Sequence, residues 1–248
     1  MGQSCPVLIV ETKHNMTTIS GEKWDQIFRE MVPHIFPNVL HRALFWGVTQ
    51  TGKTTTLRKL LGGEEVTFHS GMPLDDVIGG WTLRNGTTVW SDGPAIRAMR
   101  NGTPLIINEL NDIPMEVKTF LYVILDKEPV ATLPSGEVVR PAPGYCVVGT
   151  MNPNPSVLPE PVFERFDMVF KVDTLSDGAR EALGAFAPQA ERHIARQSRS
   201  LEWSRPMSVG LLMAAARLCE KGVEPDDMTK ALGLTGRAAT DFLAALTE

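Results

Sequence analysis

The chain has 248 residues, 43% hydrophobic and 21% charged, with a formal charge of -5. That is enough apolar material for a substantial core in one domain or a domain with a small satellite, and the negative balance argues against a surface devoted to nucleic acid or anionic lipid. Cys5, Cys146 and Cys219 stand far apart, which excludes a disulfide framework or a zinc site and fits a reducing compartment. The longest early apolar run, residues 7–10, is too short for a signal-peptide core. Nothing later approaches the roughly 18 apolar residues of a membrane span, so a cytoplasmic protein without a membrane partner is expected.

In chain order, the apolar run at 43–46 predicts a first buried strand, followed by a helix over 54–61 and a second strand over 65–69. Residues 81–90 turn at Asn85-Gly86, a hairpin signal. A strand over 104–110 leads to a helix over 115–126, opened by Pro114 and carrying Val117, Phe120, Leu121, Ile124 and Leu125 on one face. A second hairpin is expected at 130–139 around Pro134-Ser135-Gly136, then strands at 145–150 and 168–172. Helical periodicity takes over at 177–197, 207–221, 225–232 and 237–246. Several strands are continuously apolar, as in strands buried on both faces. The expected fold is therefore α/β: a parallel five-stranded sheet flanked by helices over 1–174, followed by a small all-α lid over 175–248. The chain carries no internal repeat and no low-complexity tract.

The stretch "GVTQTGKTTTLRKL" matches the phosphate-loop pattern and sits where that pattern requires, after a strand and before a helix. Gly47, Val48, Thr49, Gln50, Thr51 and Gly52 form the loop, and Lys53, Thr54 and Thr55 open the helix. Backbone N–H groups there cradle phosphates, Lys53 neutralises their charge, and the Thr54 hydroxyl is a magnesium ligand. Gln50 occupies a position where many such loops have glycine, and is costly there if the backbone needs positive φ.

The ordered strings "DDVIGGWTLRNGTTVWSDGPAIRAMRNGTPLIINELND", "VVGTMNPNP" and "LPEPVFERFD" resemble the AAA+ ATPases of the MoxR, midasin and dynein-related group, across residues 40–173. The resemblance implies a P-loop core binding ATP and Mg2+. It makes the first hairpin an insertion in the second helix, and the second hairpin the one before the sensor strand. It further implies that Glu109 activates the attacking water, that Asn152 senses the γ-phosphate, and that Arg165 is a finger reaching a neighbouring subunit's nucleotide. Simpler readings stay open: Glu109 caps a turn, Asn152 starts the Asn-Pro turn, or Arg165 pairs with Glu164 or Asp167. Arg205 is the nearest arginine to the second sensor, a few residues off register. Trp81 and Trp90 either face a central pore or pack on each other across the hairpin. The segment before residue 40 is expected to help hold adenine.

Where the family has aspartate, this chain has Asn108, which keeps a carbonyl acceptor for the metal but loses the charge. Exchanging a charged for a neutral hydrogen bond costs about 1 to 2 kcal/mol, roughly five- to thirty-fold in rate if all of it falls in the transition state. The expected function is a slow ATPase working in a ring, of six subunits by resemblance, to remodel a protein, with a von Willebrand factor A-type protein as the partner the family suggests. Two alternatives stand beside it: an ATP-gated assembly switch without hydrolysis, and a nucleic-acid or restriction-type motor. The motor lacks its basic stripe.

Overall fold

The computed structural model describes residues 16–19, 41–199, 209–232, 234, 239, 240 and 243. Arg205, most of the helix expected over 237–246 and most of the expected adenine-holding segment lie outside them. In chain order the strands are β1 (Met16–Ile19), β2 (Arg42–Gly47), β3 (Glu64–Thr67), β4 (Gly79–Arg84), β5 (Thr87–Asp92), β6 (Pro104–Asn108), β7 (Ala131–Thr132), β8 (Val138–Val139), β9 (Cys146–Met151) and β10 (Met168–Val172). The helices are α1 (Lys53–Leu61), α2 (Asp75–Ile78), α3 (Pro94–Asn101), α4 (Met115–Ile124), α5 (Glu160–Phe163), α6 (Asp177–Leu183), α7 (Ala187–Arg199), α8 (Val209–Glu220) and α9 (Pro225–Ala231).

The main sheet is parallel, in the order β1-β10-β2-β9-β6-β3. All five expected strands are present, and β1 adds a sixth at the edge. Its four residues, MTTI, give no apolar run long enough to stand out. Neighbouring side chains along each central strand point to opposite faces, and both faces are covered. Ala43, Phe45, Ile106, Val148, Phe170 and Val172 pack on one side with Leu57 of α1. Leu44, Leu105, Ile107, Val147 and Val169 pack on the other, against α3 and α4. Burial on both faces is why these strands read as unbroken apolar runs.

Both hairpins form. β4 and β5 turn through Asn85 and Gly86, each at positive φ, and Trp81 meets Trp90 edge-on with ring centroids 5.6 Å apart. The tryptophans therefore pack on each other, although Trp81 keeps 55% of its surface exposed. This hairpin separates α2 from α3, and Gly93 N donates to Ile78 O across its base. The β7–β8 ladder is only two residues long on each side. The single helix expected over 177–197 is two: α6 stops at Leu183 before Gly184, and α7 restarts after a 3-10 turn with Pro188 in its first turn. Leu175, Ala179, Leu183, Ala190, Ile194 and Leu212 form the core of this helical part.

The starts of β2 and β10 are joined by Asp167. It accepts from His41 N (3.2 Å), Arg42 N (3.0 Å) and Arg42 Nε (3.1 Å), and it ion-pairs with Arg42 NH2. Arg42 also donates to Leu125 O at the end of α4. Asp167 is thus committed to Arg42 and not to Arg165. Removing its carboxylate leaves a buried guanidinium without its counter-charge, so Asp167→Ala should lower the unfolding free energy by about 2 to 4 kcal/mol. Urea denaturation followed by tryptophan fluorescence checks this, and a loss below about 0.5 kcal/mol would show that the pair does not hold the two strands.

Candidate active site

The loop after β2 is shaped by two close backbone approaches. At Gly47, φ is 139° and an added Cβ would lie 2.1 Å from Val172 O of the adjacent β10; at Gly52, φ is 91° and a Cβ would lie 2.1 Å from Ser176 Oγ. No side chain fits either position. Gln50 has φ 61°, so the position does require the left-handed region, and the glutamine bears the cost expected of it. Thr51 Oγ1 donates to Val48 O at 3.1 Å and closes the turn. The N-terminus of α1, carrying the positive end of its dipole, opens directly beyond Gly52.

The same loop is tied to the helical part. Ser176 N donates to Thr51 O at 2.9 Å, Ser176 Oγ accepts from Ala179 N and caps α6, and Val48 packs on the helical core. The loop and the first turn of α6 are therefore in direct contact.

Three expected residues converge at the carboxyl ends of β2, β6 and β9, the edge where ligands bind in such sheets. Lys53, 6% exposed, donates to Gly47 O (2.8 Å), Val48 O (2.7 Å) and Asn152 Oδ1 (3.3 Å). Asn152 Nδ2 donates to both oxygens of Glu109 at 3.2 Å. Glu109 sits at φ 53° and ψ 47°, a left-handed conformation unusual for glutamate and characteristic of functional sites. Burial lowers the Lys53 ammonium to about 8, with the Glu109 charge acting the other way. A buried cation supported by carbonyls and one amide suits the binding of a polyanion.

Beside it, Asn108 Oδ1 accepts from Thr54 Oγ1 (2.8 Å) and Thr150 Oγ1 (2.9 Å), and Asn108 Nδ2 donates to Glu65 Oε1 (2.7 Å). Glu65 is held in turn by Arg58 through two bonds of 2.6 Å. The hydroxyl of Thr54 and the amide oxygen of Asn108 are hard oxygen donors fit for magnesium. Among the described residues no group of three His, Cys, Asp or Glu could hold a metal ion. Glu65, Arg58, Thr150 and Ser176 were not singled out in the sequence. The available signal was Glu64-Glu65 at the head of a strand, an unusual place for carboxylates.

Arg165 is not drawn into this cluster. Its NH1 donates to Pro161 O at 2.5 Å and its guanidinium lies 5.1 Å from the Tyr122 ring centroid, on α5 and α4.

Residues 44–166 match the family model described as AAA domain (dynein-related subfamily). The chain belongs to the dynein-related subfamily of AAA domains. This AAA domain chain is similar to Protein NorQ of Paracoccus denitrificans, 26% identical over 187 residues covering 74% of this chain, and to Midasin of Giardia intestinalis, 28% identical over 204 residues covering 77%. It spans 63% of the length of the first and 4% of the second. It is also 24% identical over 220 residues to the Denitrification regulatory protein NirQ of Stutzerimonas stutzeri, covering 81% of this chain and 78% of that protein. Among the described residues of this chain no helix is long and apolar enough to cross a membrane.

The buried lysine of this AAA domain gives a pH test. The unfolded chain keeps the Lys53 proton to about 10.5 and the folded chain releases it near 8. Between those values the unfolded state binds more protons, so the fold gains stability as pH rises through that window, whereas at lower pH it carries the cost of a buried charge. Lys53→Met is free of that cost. Its melting temperature minus that of the native protein should fall as pH rises from about 7 to about 10; a difference independent of pH would contradict the assignment.

Proposed function

We propose that this chain hydrolyses ATP at the interface between copies of itself arranged in a ring of six, and that the cycle remodels a bound protein. The observation that carries the reading is the chain of contacts Lys53–Asn152–Glu109 beside the loop tied to α6. It links a phosphate-binding cation, a polar sensor and a carboxylate base to a helical lid.

In this reading the phosphates displace the loop carbonyls from Lys53, and the N–H groups at the start of α1 take up further phosphate oxygens. Thr54 and Asn108 would hold the magnesium ion, which neutralises charge on the phosphates when bound. Glu109 orients water and accepts its proton as the water oxygen bonds to the γ-phosphorus. The bond to the bridging oxygen breaks, releasing ADP and phosphate, and Glu109 then returns its proton to solvent. Asn152, between Lys53 and Glu109, reports whether a γ-phosphate is present. Arg165 lies outside its own chain's cluster, which supports its serving a neighbour's site. Loss of the γ-phosphate relaxes the loop and, through Thr51 and Ser176, tilts α6.

The partner is a protein, with a von Willebrand factor A-type domain as the class the resemblance favours, and the setting is cytoplasmic. One feature favours the hydrolysis-deficient switch instead: Asn108 brings no charge of its own to the metal.

The shared site is tested by complementation. Glu109→Gln and Arg165→Ala should each lose about a hundred-fold or more in hydrolysis. In an equal mixture, an Arg165→Ala subunit next to a Glu109→Gln subunit regains a complete site, and random assembly restores about a quarter of native turnover. A mixture as inactive as its components would place Arg165 outside the reaction or within its own subunit's site. Native protein that assembles with ATP yet releases no phosphate would select the switch.

A further inference from the structure

We propose that Glu65 is the positioning residue for Asn108: it fixes the amide with its oxygen toward Thr54 and polarises that oxygen for the magnesium site. An asparagine amide can be turned over with little change in shape, exchanging acceptor for donor. Here its surroundings leave one choice. Glu65 is acceptor-only, and its Oε1 lies 2.7 Å from Nδ2; turning the amide over would set two oxygens against each other. On the other side stand the hydroxyls of Thr54 and Thr150, both able to donate to Oδ1. Arg58, on the same helix as Thr54, grips both oxygens of Glu65 and holds the carboxylate in place.

The amide–carboxylate bond also shifts electron density toward Oδ1, as hydrogen bonds in chains do. The carboxylate missing from β6 is thus present on β3, one hydrogen bond further from the metal. This reverses what the sequence implied for Asn108→Asp. The introduced aspartate would not restore a stronger site; it would face Glu65 at hydrogen-bond distance, two like charges with no proton between them. Giving that aspartate a good partner requires Glu65→Gln in addition, whose amide donates where the carboxylate accepted.

The inference rests on the nucleotide reading for its functional part and is tested by a cycle of four proteins: native, Asn108→Asp, Glu65→Gln and the double variant. Two readouts are taken, the melting temperature without ligand and the ratio of dissociation constants for a fluorescent ATP analogue in EDTA and in magnesium. Each single variant should melt lower than native and lose about three- to ten-fold in the magnesium ratio, while the double variant should melt closer to native than either single variant and return the ratio to within about two-fold of native. Asn108→Asp raising the magnesium ratio alone, or Glu65→Gln matching native in both readouts, would overturn the proposal. If a single variant is too unstable to assay, Arg58→Ala loosens Glu65 from outside the site and should lower the magnesium ratio in the same direction; an unchanged ratio counts against the proposal. Native protein that binds no nucleotide would remove the nucleotide reading only, because recovery or non-recovery of the melting temperature in the double variant still decides the contact.

Discussion

A buried ammonium sets the terms for this molecule. Lys53 is carried into the fold at the first residue of α1, and its charge is held by two loop carbonyls and the amide oxygen of Asn152. Holding a cation there without a paired carboxylate is unfavourable. Much of the surrounding architecture follows from that: glycines where the backbone must pass against β10 and Ser176, a helix N-terminus turned toward the same space, and Glu109 within electrostatic range. A polyanion would offset that cost, and the proposed nucleotide site starts from this feature.

Around that cation the structure forms two short relays. One runs from Lys53 through Asn152 to Glu109, and the other from Thr54 through Asn108 and Glu65 to Arg58. They meet at consecutive residues, Asn108 and Glu109, at the end of β6. The backbone turns sharply there into the left-handed region, sending the two side chains into different networks. A third connection, Thr51 to Ser176, leads out of the site to the helical part. The loop and the helical part are therefore joined by contacts only a few bonds long.

The sequence made most of the core legible because burial on both sides of the sheet leaves continuous apolar runs, and Gly47, Gly52 and Lys53 lie in one contiguous pattern. The hairpin at Asn85-Gly86 was equally plain, since its turn needs positive φ twice. Other features were invisible for physical reasons. β1 is four residues with two threonines and enters the sheet by parallel pairing with β10. The break at Gly184 falls inside an otherwise helical pattern. Asp167 looked like a candidate for the nearby Arg165, and only the parallel pairing of β2 with β10 brings it to Arg42, far away in sequence. The role of Glu65 depends on β3 lying beside β6, which no local pattern states. Asn108 was therefore weighed in the sequence as an isolated loss of charge, whereas in the fold it is one half of a pair.

The central claim is that nucleotide and assembly belong to one site. Light scattering of the native protein with and without ATP and magnesium, on the same sample used for phosphate release, tests it most directly. A shift from small species to a ring of about six subunits is expected on adding ATP, accompanied by measurable phosphate release. A protein that stays monomeric at all nucleotide concentrations and releases no phosphate would contradict it.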